Sequence, residues 1–131
     1  MIYTPENITE LADNEVFVFG SNESGMHGAG AAKVALSFGA VMYQGFGPQG
    51  STFAIPTKDW NITTLPINVI EHYVNRFIVH AKVTPGFYFL VTKIGCGLAG
   101  YRVGDIAPLF REAIKLENII LPEEFINYLT L

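Results

Sequence analysis

Few side chains in this sequence have the type and spacing to do chemistry. Lys58 ends the run Ile55-Pro56-Thr57-Lys58 and is followed at once by Asp59. A lysine becomes a nucleophile when desolvation or a cationic neighbour lowers its pKa, and a carboxylate in reach could then carry a proton. The plain alternatives are a surface lysine beside a strand end and an aspartate that opens a turn. His27 is expected at the mouth of a glycine-rich segment, where it could donate to an anion or act as acid or base. A solvated loop histidine is the alternative. Cys96 lies between two glycines near a helix start, which favours thiolate, but no histidine adjoins it. With His 3 and Cys 1 at no ligand spacing, no metal and no cofactor is expected.

Those residues stand on or beside two glycine-rich stretches. The first runs from the apolar Val16-Phe17-Val18-Phe19 through Gly20-Ser21-Asn22 to His27-Gly28-Ala29-Gly30 and a small-residue helix. The second, Lys93-Ile94-Gly95-Cys96-Gly97-Leu98-Ala99-Gly100-Tyr101, follows the apolar run Phe87–Thr92. Glycines let backbone N–H groups approach an anion closely, and a helix beginning beside them aims its positive end the same way. Gly28, Gly30, Gly95, Gly97 and Gly100 are therefore expected to face phosphates. Asn22 either orients a ribose hydroxyl or bonds its own turn. A dinucleotide fingerprint does not fit, because too many residues separate Phe19 from Gly28 and the acidic residue expected further on is absent. A phosphate loop would need Gly-Lys-Ser/Thr, which the chain lacks.

Composition narrows the classes. The 131 residues are 50% hydrophobic and 15% charged, enough for one domain over 1–131 with a substantial core. The net charge of −4, without a basic run, argues against a large-footprint nucleic-acid partner. No apolar stretch reaches the length of a membrane span, and one cysteine suits a reducing compartment, so a cytoplasmic protein is expected. Oligomeric state is left open.

Alternation of strands and helices predicts an α/β fold with a largely parallel sheet. Strands are expected at Val16–Phe19, Thr52–Thr57, Phe87–Thr92 and Asn118–Leu121. A short helix or turn leads in before Asn14, a helix runs from Ala29 to about Phe38 with Gly39 at its C-cap, and Tyr43–Gly50 reads as turns. The helix Leu65–Lys82 buries the stripe Ile67, Ile70, Tyr73, Val74, Phe77, Ile78 and Ala81, leaving His72 and His80 to solvent. Asp105 reads as an N-cap, with Ile106, Leu109, Phe110, Ala113 and Ile114 facing inward. Pro122–Leu131 closes the chain as a helix. Ligands of such sheets bind beyond the carboxyl ends of the strands, where both glycine stretches would converge. Phe46, Trp60 and Tyr101 could stack on a base or form part of the core, with Tyr101 the best placed.

Gly20-Ser21-Asn22, the run His27 to Ala32 and the helix ending at Gly39-Ala40 resemble the first ligand loop of macrodomains, and Ile94-Gly95-Cys96-Gly97-Leu98 resembles their second. The likeness covers roughly residues 15 to 121. It implies a three-layer α/β/α sandwich with a mostly parallel central sheet that binds ADP-ribose. Gly20, Ser21, Asn22, Gly28, Ala29 and Gly30 would hold the ligand from one loop, and Ile94 to Tyr101 from the other. The lysine-dependent branch, similar to terminal ADP-ribose protein glycohydrolases, has a lysine where Lys58 stands and an aspartate where this chain has Ala99. Asp59 or Asp105 would have to replace that aspartate. The implied functions are a binding module or scavenger, an ADP-ribosyl hydrolase using Lys58 or a loop-held water, or a scaffold with a vestigial pocket.

Overall fold

The computed structural model describes Ile2–Leu131 and turns the apolar runs into the strands of one sheet. These are β1 (Glu15–Asn22), β2 (Gly47–Gln49), β3 (Thr52–Lys58), β4 (Tyr88–Val91) and β5 (Ile119–Ile120). The helices are α1 (Gly30–Leu36), α2 (Ile67–Lys82), α3 (Val103–Ile106) and α4 (Glu123–Leu129), and α3 continues into the 3-10 segment Ala107–Lys115. The strand order is β2-β3-β1-β4-β5, giving a five-stranded α/β sheet. Every pairing is parallel except β2 with β3, so the sheet is mixed.

β1 is central because it can be buried on both faces. Phe17 and Phe19 enter a small core with Ala32 and Ala35 of α1. Val16 and Val18, pointing the opposite way, enter the larger core with Phe53, Phe89 and the apolar face of α2. Ile70, Val74, Phe77 and Ala81 are buried as the periodicity predicts, and Ile67, Tyr73 and Ile78 flank them half-buried. α1 ends as expected. Gly39 has φ +105, its N–H donates to Leu36 O at 3.3 Å, and Ala40 N donates to Ala35 O at 3.0 Å, a Schellman-type close with glycine in the left-handed position.

Several expectations need correction. Of the short helix or turn expected before β1, the structure has a turn at Asp13-Asn14, and Thr4 runs beside the sheet, its N–H bonding Leu121 O at 2.9 Å and its hydroxyl bonding Ile120 O at 3.0 Å. Gly47–Gln49, read as part of a turn, is a short antiparallel edge strand. His80 is half-buried against Phe53 and Phe89, at ring distances of 5.0 and 5.7 Å. It lies one helical turn from Phe77, on the margin of the buried stripe. Ile114 is exposed because the tighter 3-10 winding of Ala107–Lys115 changes which side chains share a face. Asp105 occupies the third helical position, not the N-cap: its carboxylate accepts the Arg102 N–H at 3.0 Å. No helix among the described residues is long and apolar enough to cross a membrane.

Candidate functional site

β1 outlasts its neighbour. β4 ends at Val91, opposite Val18, whereas β1 continues to Asn22 and stays paired with β3. Beyond Val91 the chain turns aside, with Thr92 donating both its N–H (3.1 Å) and its hydroxyl (2.8 Å) to Val18 O. The last residues of β1 are left facing a cleft of about 530 Å³ at the carboxyl ends of β1, β3 and β4. That size falls within the range of small-molecule sites.

Both glycine stretches reach it. Gly20, Ser21, Asn22, Gly28, Ala29 and Gly30 line one side, and Ile94, Gly95, Gly97, Leu98 and Ala99 line the other. The backbone explains what they present. α1 starts at Ala29 with no side-chain cap, since alanine has nothing to offer its first N–H groups. Among the described residues, the N–H groups of Gly28 to Ala32 and of Gly95, Gly97, Leu98 and Ala99 donate to no group of the chain. All of these residues line the same cleft. α1 has 7 residues and α3 has 4, so their dipoles are shorter than the sequence suggested, and the donors are chiefly the loop amides themselves.

The first loop is held rigidly. Gly25 has φ +72 and sits so close to the Tyr43–Gln44 backbone that a Cβ there would come within 2.3 Å of Gln44 N. The Asn22 amide serves the turn: Oδ1 accepts from Met26 N and Ser24 Oγ, each at 2.8 Å, and Nδ2 donates to Met26 O at 2.9 Å. Ser21 Oγ bonds Gly45 O, and Thr57 Oγ1 bonds Ser21 O at 3.3 Å. Glu23 N bonds Lys58 O at 2.9 Å, and Tyr73 Oη bonds the Glu23 carboxylate from α2. Burial, then that hydrogen bond, pushes the Tyr73 hydroxyl up to about 12.

Of the candidate catalytic groups, only Lys58 lines the cleft. Asp59 is half-buried, and its carboxylate is spent on the turn after β3, accepting Asn61 N at 2.8 Å and Thr63 N at 2.9 Å. His27 is buried at 1% exposure beneath the loop, edge-on to Phe19, with one ring nitrogen 3.1 Å from Gln44 O. It is a support of the loop, not a group at its mouth. Cys96 packs half-buried against the larger core, where burial raises its thiol pKa and disfavours the thiolate. Tyr101 packs against the same core and donates to Leu65 O at 2.7 Å, and neither it nor Gly100 lines the cleft. Phe46 stacks among Phe53 and Tyr73 under Arg76, and Trp60 is exposed outside the cleft.

The cleft also holds residues that sequence reasoning missed. Lys93, immediately after β4, lines it and is ion-paired with Glu124 and, at 3.5 Å, with Glu6. Its place just past a strand end, like that of Lys58, was the available signal. Met26 and Ile62, each 46% exposed, add apolar surface beside the expected Leu98. Nothing in the local pattern around Ile62 marks it. No group of His, Cys, Asp or Glu able to hold a metal ion occurs among the described residues. No family model, curated protein or solved structure matches this chain.

Proposed function

We propose that the protein binds ADP-ribose or a related nucleotide diphosphate-ribose in this cleft, as a binding module or scavenger, within a macrodomain-like three-layer sandwich. One observation carries the reading. Two glycine loops far apart in sequence line a single cleft with residues whose backbone N–H groups have no partner among the described residues, and Lys58 and Lys93 line it too. Such an array stabilises a diphosphate through local donors and needs no broad positive field. This suits a chain of net charge −4 and a small-molecule partner better than a nucleic-acid backbone.

The hydrolase alternative is less well supported, since Lys58 is the only candidate catalytic group in the cleft. Among the described residues no aspartate or glutamate lines it, so no carboxylate stands ready as the partner of a nucleophilic lysine.

Titration calorimetry with ADP-ribose tests the binding reading directly. Heat of binding is expected with the wild type, and its absence at millimolar ligand would remove the proposal. Gly97 is suited to a variant because a Cβ there meets nothing within 4 Å. Gly97→Glu places a carboxylate against the anion and is expected to weaken binding at least tenfold, about 1.4 kcal/mol, with the fold intact.

A further inference from the structure

Two non-glycine residues among those described have positive φ, Tyr43 at +72 and Ile62 at +63. For a β-branched side chain this conformation is a genuine outlier, because the branch crowds the backbone. Tyr43 lies away from the cleft, whereas Ile62 lines it. The turn around Ile62 is over-determined. Besides the two bonds to the Asp59 carboxylate, Ile62 N donates to Asp59 O at 3.1 Å, Asp59 N donates to Thr63 O at 2.8 Å, and Lys58 pairs with Thr64 as an antiparallel bridge.

None of those bonds needs an isoleucine. Glycine or asparagine adopts the same backbone at lower cost and leaves every bond in place. Nor does core burial offset the strain, since Ile62 is 46% exposed. The turn is also tied to the second glycine loop, where Thr64 Oγ1 donates to Ala99 O at 3.0 Å beside the exposed Leu98. A strained apolar side chain with little return inside the protein, held over a cleft by a rigid turn, has its return in what the cleft binds.

We propose that Ile62 is a ligand-contacting, specificity-determining residue. The Lys58–Thr64 turn holds its side chain over the cleft so that, with Leu98, it covers a ring face of the bound nucleotide diphosphate-ribose. The inference rests on the binding reading above. It implies that Ile62 discriminates an organic diphosphate ester from the bare inorganic ion, which has no apolar face to cover.

The test combines thermal unfolding with calorimetry on wild type, Ile62→Asn and, as a control for strain alone, Tyr43→Asn. Both variants are expected to unfold at or above the wild-type midpoint, because asparagine tolerates the left-handed conformation. Ile62→Asn is expected to bind ADP-ribose about tenfold more weakly, from the apolar contact it loses. Its response to inorganic diphosphate should match the wild type, and Tyr43→Asn should match the wild type with both ligands. Three outcomes overturn the proposal while leaving the binding reading intact: wild-type ADP-ribose affinity in Ile62→Asn, equal loss of ADP-ribose and diphosphate, or a lowered midpoint. A wild-type protein that takes up no ADP-ribose overturns the binding reading and this inference together.

Discussion

Two lysines reach the cleft from opposite sides of β1, and their surroundings differ. Lys58 makes no ion pair among the described residues, whereas Lys93 is shared with Glu124 and Glu6. The hydrogen bond to Glu124 comes first among the causes that raise the Lys93 pKa, and its counterpart comes first in lowering that of Glu124. The carboxylate's contribution to stability is therefore present above its ordinary range and lost as pH falls through its depressed pKa. The lysine's contribution is present below its ordinary range and lost as pH rises through its elevated one. Both side chains are 42% exposed, so screening keeps the pair's contribution small. Lys93→Gln should consequently leave the unfolding midpoint almost unchanged. Calorimetry should find its loss of ADP-ribose affinity smaller than that of Lys58→Ala, since Lys93 is already partly neutralised. Gly25→Ala should behave in the opposite manner, as a stability lesion. Its Cβ would collide with backbone at a positive φ, and denaturant unfolding should show a loss of roughly 2–4 kcal/mol.

At the scale of elements, α2 was the most legible part of the chain. A 16-residue amphipathic helix repeats its apolar positions often enough that the buried stripe stands out from sequence alone. Truncating its centre, Phe77→Ala, should cost about 3–5 kcal/mol in denaturant unfolding, since Phe77 is fully buried against Phe53 and Phe89. Position 80 is the exception, where a polar residue sits on the margin of the stripe. Burial lowers the His80 pKa, so the unfolded chain takes up a proton before the folded one does. Stability should decline as pH falls below about 6.5 and level off once the folded state also protonates. Comparing the midpoints of wild type and His80→Gln at pH 7.5 and 5.5 checks this, and the variant should show the smaller decline. The short edge strand was illegible for the converse reason. β2 has 3 residues, too few to establish a period, and exists because β3 offers it a partner, whereas β5, with 2 residues, lies within the strand expected at Asn118–Leu121.

At the scale of the molecule, the cleft is a product of topology. Its walls come from residues 20–32, 57–62 and 92–99, brought together because β3 and β4 flank β1 in parallel. A ligand that bridges these segments binds only the folded chain and should stabilise all of it. At a free ADP-ribose concentration of one hundred times Kd the gain is about 2.7 kcal/mol. For a chain of this size that corresponds to roughly 8 °C in thermal midpoint, readable by differential scanning fluorimetry. Gly97→Glu, binding at least tenfold more weakly, should remove about half of the shift or more at the same ligand concentration.

Sequence by itself determined the properties that repeat locally or depend on residue type. The parallel-rich α/β alternation, the buried face of α2, the glycine close of α1 and the two glycine loops at strand ends were all legible in this way. So was the bonding of Asp59 to its own turn, because a short polar side chain reaches the nearest backbone amides first. For Asn22 the turn was one of two readings, and the structure shows its amide bonded within the turn. Tertiary structure alone decided which side chains the cleft receives. His27 and Cys96, reactive types in suggestive positions, lie against core side chains because the loops pack their backbones tightly against neighbouring segments. Lys93 and Ile62, unremarkable in sequence, enter the cleft because β4 ends early and a stapled turn follows β3. A residue's chemistry is local, but its direction depends on partners far off in the sequence. For Ile62 that direction is fixed by a backbone conformation its own side chain disfavours.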